Sequence, residues 1–246
     1  MLSVTPVMML TGPVKKMAKK GRGGPKRADA KQRVKTARGR TNSSVRWLQR
    51  QLNDPYVQEA RRIGYRSRAA FKIIDIDEKY RLLSRNLRVV DLGAAPGGWS
   101  QIVAERIGEG GSIVAVDLLE FDPLAGVTAL IGDFHEAETW DRVREALDGD
   151  ADLVLSDMGA SMIGHSATDH LRSAALAEAA FEFACEVLTD GGAFVVKLLQ
   201  GAEESAYVAM LRKRFAKVDR VKPPASRDRS AEMYVVARGF RAEQGT

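Results

Sequence analysis

Only one cysteine, Cys185, stands among the 246 residues, so no disulfide can form within the chain, and a reducing compartment suits it. It sits in an alanine-rich helical stretch, where a small buried side chain is expected rather than a nucleophile. Histidine is scarce too. His135, His165 and His170 have no cysteine cluster or carboxylate motif at ligand spacing, and no metal site is expected. No apolar run is long enough to span a bilayer, so no membrane segment is expected. The start, Met1-Leu-Ser-Val-Thr, lacks the basic lead and continuous apolar core of a secretory signal. Acids are nearly missing from the first 50 residues, which hold 14 lysines and arginines against Asp29 alone. That lack keeps a mitochondrial transit peptide in view, but the stretch is lysine-rich without a clear amphipathic period, and a cytoplasmic protein is expected.

The remaining residues are mildly acidic, with 31 acidic and 24 basic side chains. A basic arm on an acidic body points to a polyanionic partner gripped by the arm. Residues 1–41 combine Lys, Arg, Gly and Ala with almost no aromatics, and are expected to be a disordered arm. Residues 42–246 are long enough for one domain with a sizeable core. Nothing in the pattern signals an oligomer, and a monomer is the default.

Two nucleotide-binding signatures are also missing. No Gly-Lys-Ser/Thr follows the glycine-rich turn after Asp91, which excludes a phosphate-cradling P-loop. The dinucleotide spacing Gly-x-Gly-x-x-Gly is absent as well: Gly93 is followed by Ala94-Ala95-Pro96 before Gly97-Gly98, and Pro96 removes an N–H that a pyrophosphate would use. What is present is a short β-branched run ending at Asp91, a tight glycine turn, and helical spacing from Trp99 to Ile107. Glycines admit a ligand close to the backbone, and a helix N-terminus offers free N–H groups. An adenosine derivative without a diphosphate fits, and S-adenosylmethionine meets that description. A nicotinamide-dependent dehydrogenase is the competing enzyme class, and Pro96 speaks against it.

From Ser43 the pattern becomes structured, over 45–51, 56–65 and 67–80, with Ser67 as a cap for the helix carrying Ala70, Phe71, Ile74 and Ile76. Strands follow at 87–91, 112–117, 127–131, 152–157 and 193–198, alternating with helices at 99–107, 136–147, 168–189 and 203–215. Two late strands, 217–221 and 232–238, succeed each other directly and are expected to pair antiparallel. The expected fold is therefore α/β and Rossmann-like: a mostly parallel seven-stranded sheet with one antiparallel strand, helices on both faces, and ligands at the carboxyl ends of the strands.

The strand ends carry the candidate residues. Asp117 closes the second strand, where an acid accepts hydrogen bonds from a ribose diol, although a turn aspartate is common there. Asp133 ends the third strand and is placed either to bind an adenine amino group or to cap the next helix. Trp99 follows the glycines and either packs the core or lines a cofactor pocket. Asp157 closes the fourth strand. Lys197 interrupts the apolar run Ala193-Phe-Val-Val-Lys-Leu-Leu, a costly position unless it is paired or at a wet mouth. The fourth and fifth strands are neighbours in such sheets, so Asp157 and Lys197 are expected to face each other.

These residues sit in a longer pattern: Ser44-Val-Arg-Trp-Leu-Gln, Asp54-Pro-Tyr-Val, Arg66-Ser-Arg-Ala-Ala-Phe-Lys72, Val90-Asp-Leu-Gly-Ala-Ala-Pro-Gly-Gly-Trp-Ser-Gln, Asp117-Leu-Leu, Gly132-Asp-Phe, Ser156-Asp-Met, Gly192-Ala-Phe-Val-Val-Lys, Gln200-Gly and Arg227-Asp-Arg-Ser-Ala-Glu-Met-Tyr234. From about Ser43 to Gly239 the chain resembles the FtsJ family of ribosomal RNA 2′-O-ribose methyltransferases. The resemblance implies a catalytic Lys-Asp-Lys-Glu tetrad at Lys72, Asp157, Lys197 and Glu232. It implies S-adenosylmethionine held near Gly97, Trp99, Asp117, Asp133 and Asp157. By itself Lys72 reads as a solvent-facing helix lysine and Glu232 as a surface strand glutamate. The implied substrate is a uridine of 23S ribosomal RNA in the large ribosomal subunit. Transfer RNA, or a non-catalytic assembly factor that only binds RNA, are the alternatives. Arg61, Arg62, Arg66, Arg68, Arg227 and Arg229 are the expected RNA contacts. The chain departs from the family where Asp-Met-Ala-Pro-Asn is usual and it reads Asp157-Met-Gly-Ala-Ser161, which leaves substrate contacts around 158–170 open.

Overall fold

Apolar runs rich in β-branched residues form the central strands of the molecule. A computed structural model describes residues 39, 41–160, 166–201, 203–227 and 230–242, so the arm expected at 1–41 lies almost wholly outside the described residues, as does Arg229. The strands are β1 (Arg88–Leu92), β2 (Ser112–Asp117), β3 (Val127–Ile131), β4 (Ala151–Ser156), β5 (Leu188–Leu199), β6 (Phe215–Val221) and β7 (Glu232–Phe240). They form one seven-stranded sheet in the order β3-β2-β1-β4-β5-β7-β6. β1 to β5 run parallel, while β7 is antiparallel to both β5 and β6. The strand order reverses between β1 and β4, and the crevice at that switch point is where such sheets hold ligands.

The helices are α1 (Asn42–Leu52), α2 (Pro55–Ile63), α3 (Ala69–Tyr80), α4 (Gly98–Ile107), α5 (Ala137–Leu147), α6 (Ser166–Val187) and α7 (Glu203–Arg214). Alternate residues of each strand serve two helical layers, as a period of two demands. Val89, Leu153, Leu155, Val195, Tyr234 and Val236 pack against α3 and α4, through Ile73, Ile76, Trp99 and Ile102. Their neighbours Val90, Val154, Phe194, Val196, Val235 and Ala237 face α5, α6 and α7, through Val143, Phe183 and Leu211. Strands buried on both faces read as nearly continuous apolar runs, which makes them visible in sequence.

Local chemistry sets the helix ends. Asp54 caps α2 by accepting from Tyr56 N at 3.1 Å, Pro55 occupies the first turn, and Gly64 ends the helix at φ 95°. The N-cap of α3 is Arg68 rather than the expected Ser67, whose Oγ still accepts from Ala69 N at 3.2 Å just before the helix. Most boundaries shift by a residue or two, and one differs more. The helix expected over 168–189 stops at Val187, and β5 begins at Leu188 rather than 193. Thr189 is β-branched, Gly191 sits at φ 82°, and a Cβ on Gly192 would lie 2.9 Å from Thr189 O. The chain thus turns within an irregular strand start, where pairing with β4 slips between Ala151 and Leu153.

Candidate active site

At the carboxyl edge of the sheet, register alone brings charged residues together. β5 and β7 pair so that Lys197 lies opposite Tyr234 and Leu199 opposite Glu232. Ser156 pairs with Val196, which leaves Asp157, one residue on, beside Lys197. These side chains share the face covered by α3, whose first turn carries Lys72. Residues 72, 157, 197 and 232, distant in sequence, therefore meet.

Contacts are close. Lys72 Nζ lies 2.5 Å from Glu232 Oε1 and 3.9 Å from Asp157 Oδ1, while Lys197 Nζ lies 3.1 Å from Asp157 Oδ1. Lys197 Nζ also donates to the Asp157 carbonyl. A methyl group on Gly159 would sit 2.8 Å from Lys197 Nζ, so the missing side chain at 159 leaves room for the ammonium. Lys72 is buried, contrary to the solvent-facing position its helix alone suggests.

A fifth member was not foreseen. Tyr234 is fully buried; its hydroxyl accepts from Lys72 Nζ at 2.8 Å and faces Asp157 Oδ1 at 2.7 Å and Glu232 Oε1 at 3.0 Å. The phenol's single proton serves both carboxylates. The signal was present in sequence, because residues 232 and 234 point to one face of a strand. Burial, with Asp157 and Glu232 alongside, pushes the Tyr234 hydroxyl well above its ordinary range, so it stays protonated. Burial opposes the charge on Asp157, but Lys197 and Lys72, with hydrogen bonds from Tyr234 and Lys197, hold its carboxyl below the usual range. Two lysine side chains thus face two acidic ones across the cluster. Such an arrangement keeps a lysine nitrogen at a fixed point at the crevice mouth, with a carboxylate ready to accept or stabilise its charge.

Beside the cluster lies a cavity of about 380 Å³, lined among others by Gly93, Asp117, Leu118, Asp133, Met158 and Arg172. Its size falls in the range of small-molecule sites. Gly93, at φ 76°, is required there, since any Cβ would lie 2.8 Å from the Met158 backbone. Asp117 bridges two loops by accepting from Ala95 N and Leu119 N, each at 2.9 Å. Asp133 lines the cavity while its Oδ1 accepts from His135 N at 3.0 Å; the residue that starts α5 is Glu136 instead. Gly97 is the left-handed residue that opens α4, at φ 92°. Trp99 belongs to the core: it is 2% exposed, donates to Ala69 O at 2.9 Å and packs 5.6 Å from the Tyr234 ring. Neither Gly97 nor Trp99 lines the cavity.

Of the expected RNA-facing arginines, several are occupied internally. Arg68 is held by Asp54 and by the Ala225 carbonyl, and Arg227 Nε lies 3.3 Å from Asp54 Oδ2. Arg62 pairs with Glu59 at 2.5 Å, and Arg66 is bound to three carbonyls. Arg61 is exposed. Among the described residues no group of His, Cys, Asp and Glu could hold a metal ion, and no helix is long and apolar enough to cross a membrane.

The sequence model of the FtsJ-like methyltransferase family matches residues 65–240. A protein of Paramagnetospirillum magneticum called ribosomal RNA large subunit methyltransferase E is 57% identical over 214 residues, covering 85% of this chain and 88% of its own. A protein of the same name from Xanthobacter autotrophicus is 56% identical, covering 89% of this chain and 88% of its own. Among solved structures, a ribosomal RNA methyltransferase from Plasmodium falciparum superposes with a TM-score of 0.65 at 29% identity, over 73% of this chain and 100% of that one.

Proposed function

The chain belongs to the FtsJ-like methyltransferase family, and we propose that it transfers a methyl group from S-adenosylmethionine to a ribose 2′-hydroxyl of ribosomal RNA. The acceptor is a uridine of 23S RNA within the large ribosomal subunit, and the setting is the cytoplasm. Relatives above 50% identity named for the large-subunit RNA support the substrate. The observation that carries the chemistry is the convergence of Lys72, Asp157, Lys197 and Glu232 beside a cavity bordered by two strand-end acids.

S-adenosylmethionine supplies a methyl group on a sulfonium, whose departure as a neutral thioether leaves little for the protein to activate. The cavity suits it: Asp117 has lone pairs left for a ribose diol, Asp133 can accept from an adenine amino group, and Gly93 admits the ligand against the backbone. The work of the chain is to position the acceptor and take its proton. As the oxygen–carbon bond forms and the carbon–sulfur bond breaks, Lys197, once its ammonium has given a proton to solvent, accepts the hydroxyl proton as an amine. The resulting ammonium is received by Asp157 through its carboxylate and carbonyl. Lys72, tied to Glu232 and Tyr234, holds the acceptor side, with Glu232 on the ribose.

Labelled S-adenosylmethionine offered in parallel to large subunits, free ribosomal RNA and transfer RNA tests the reading. Label is expected on one ribose of the large-subunit RNA. Lys197→Ala should lower kcat by about 10²-fold or more while donor binding persists, in line with removal of an acid–base group. Incorporation into transfer RNA alone, or unchanged incorporation by Lys197→Ala, would refute it.

A further inference from the structure

Arg66 reads in sequence as a cation free to meet a phosphate. In the fold its guanidinium turns inward onto backbone. Nη1 donates to Pro96 O at 3.3 Å and to Asp122 O at 2.5 Å, and Nη2 donates to Pro123 O at 2.7 Å. The three acceptors belong to two loops. Pro96 is in the glycine turn after β1, and Asp122 and Pro123 are in the connection between β2 and β3. Residues from the same two segments, Gly93, Asp117 and Leu118, line the 380 Å³ cavity. Asp117 fastens these segments to each other by accepting from Ala95 N at 2.9 Å. Arg66 makes a second fastening.

Several neighbours are shaped around this side chain. A Cβ on Gly97 would come within 2.9 Å of Arg66 Nη1 and 3.2 Å of its Cδ, so only glycine leaves the arginine room. The guanidinium lies 6.0 Å from the centre of the Phe121 ring, in the same connection. The backbone at 66 is held as well: Arg66 N donates to Gln101 Oε1 at 3.0 Å, and Gln101 Nε2 donates to Gly64 O at 3.2 Å. The segment leading into α3 is thereby tied to α4. A planar fork can bridge two loops at once, whereas a lysine ammonium reaches one point.

We propose that Arg66 is a positioning residue for the methyl-donor site: it clamps the turn after β1 to the β2–β3 connection and so fixes two walls of the cavity before the donor arrives. This rests on the reading of that cavity as the S-adenosylmethionine site. Preformed walls spare the ligand the entropy of ordering them, so the clamp acts on donor affinity. RNA affinity is left alone, because the guanidinium is occupied.

Calorimetric titration of S-adenosylmethionine into the wild type, Arg66→Gln and Arg66→Lys tests the clamp, with RNA binding measured at several salt concentrations. Arg66→Gln should weaken donor binding and raise the donor KM by about 10-fold, the scale of one charge-assisted hydrogen bond. Arg66→Lys should recover part of it. At saturating donor, kcat should stay within about 3-fold of wild type, the signature of weakened ground-state binding. The salt slope of RNA binding should not change. An unchanged donor affinity with a reduced salt slope would overturn the proposal and make Arg66 a phosphate contact. Equal loss of donor affinity, kcat and thermal stability in both variants would overturn it in favour of general support of the fold. If Arg66→Gln does not fold, Arg66→Lys decides by the same readouts. A wild-type protein that binds no S-adenosylmethionine would sink the donor-site reading itself, a different failure.

Discussion

A single phenolic proton lies between two carboxylates at the centre of the site, and much follows from that arrangement. Tyr234 Oη is within 3.0 Å of both Asp157 and Glu232 and receives Lys72 from a third side. Tyr234→Phe keeps the ring against Trp99 but leaves the two carboxylates and Lys72 to rearrange. We expect kcat to fall about 10-fold or more, with a stability loss of about 1–2 kcal/mol in denaturant titrations. Asp91 is the other residue where burial decides. It is fully buried, one carboxylate oxygen takes Ser100 Oγ at 2.6 Å, and the other has no partner among the described residues. Burial pushes its carboxyl up to about 7. The unfolded chain releases that proton near pH 4 and the folded one near pH 7, so stability falls as pH rises through that window and levels off above it. Asp91→Asn should therefore gain stability relative to wild type as pH rises from 5 to 8, by at most about 3 kcal/mol. A difference that stays flat across this range would mean Asp91 is ionised in the fold. At this scale the sequence was readable where one strand carried the signal, as with Asp157 beside Lys197. It was ambiguous on Tyr234, which shares a strand face with Glu232 but as an aromatic in an apolar strand also looks like core. It was silent on the internal duties of Arg66 and Arg68, since pairing across distant loops has no local signature.

Among the elements, the approach to α3 and the connection between β6 and β7 form one locked unit. Asp54 caps α2 through Oδ1, and its Oδ2 holds Arg68 and Arg227. Arg68 reaches on to the Ala225 carbonyl, and Asp75 of α3 accepts from Ala225 N at 3.3 Å. Ser226 Oγ is 3.4 Å from Glu232 Oε1, so this connection leads directly into the cluster. Removing Asp54 takes away a cap and strands a half-buried guanidinium. Asp54→Ala should cost about 3 kcal/mol in equilibrium unfolding, well beyond the roughly 1 kcal/mol of a missing cap. A loss no larger than the cap would show that the two arginines find water instead. The regular elements themselves were legible because strands buried on both faces leave continuous apolar runs, and helices between them keep their period. The start of β5 was not. Helix and strand follow there without a break, and only Thr189 with Gly191-Gly192 marks the change.

Over the whole molecule, charge is divided between a basic N-terminal stretch and a body whose own balance is acidic. The division has a consequence for how RNA is held. The body commits Arg66 and Arg68 to internal partners, and the lysines of the active cluster face Asp157 and Glu232. Much of the attraction for a polyanion is thus left to residues 1–38, which carry eleven lysines and arginines against one acid. Electrostatic grip of that kind is sequence-independent and weakens steeply with salt, while alignment of the acceptor depends on the rigid edge of the sheet. Removing residues 1–38 should therefore weaken binding to large subunits by about 10-fold or more near 0.15 M salt. The slope of log affinity against log salt should flatten by about 0.7–0.9 for each phosphate that the arm no longer neutralises. At saturating subunits kcat should hold, because no tetrad residue is removed. A truncated protein with wild-type affinity and slope would place the RNA grip on the body, and Arg61 with the crevice rim would then be where to look for it.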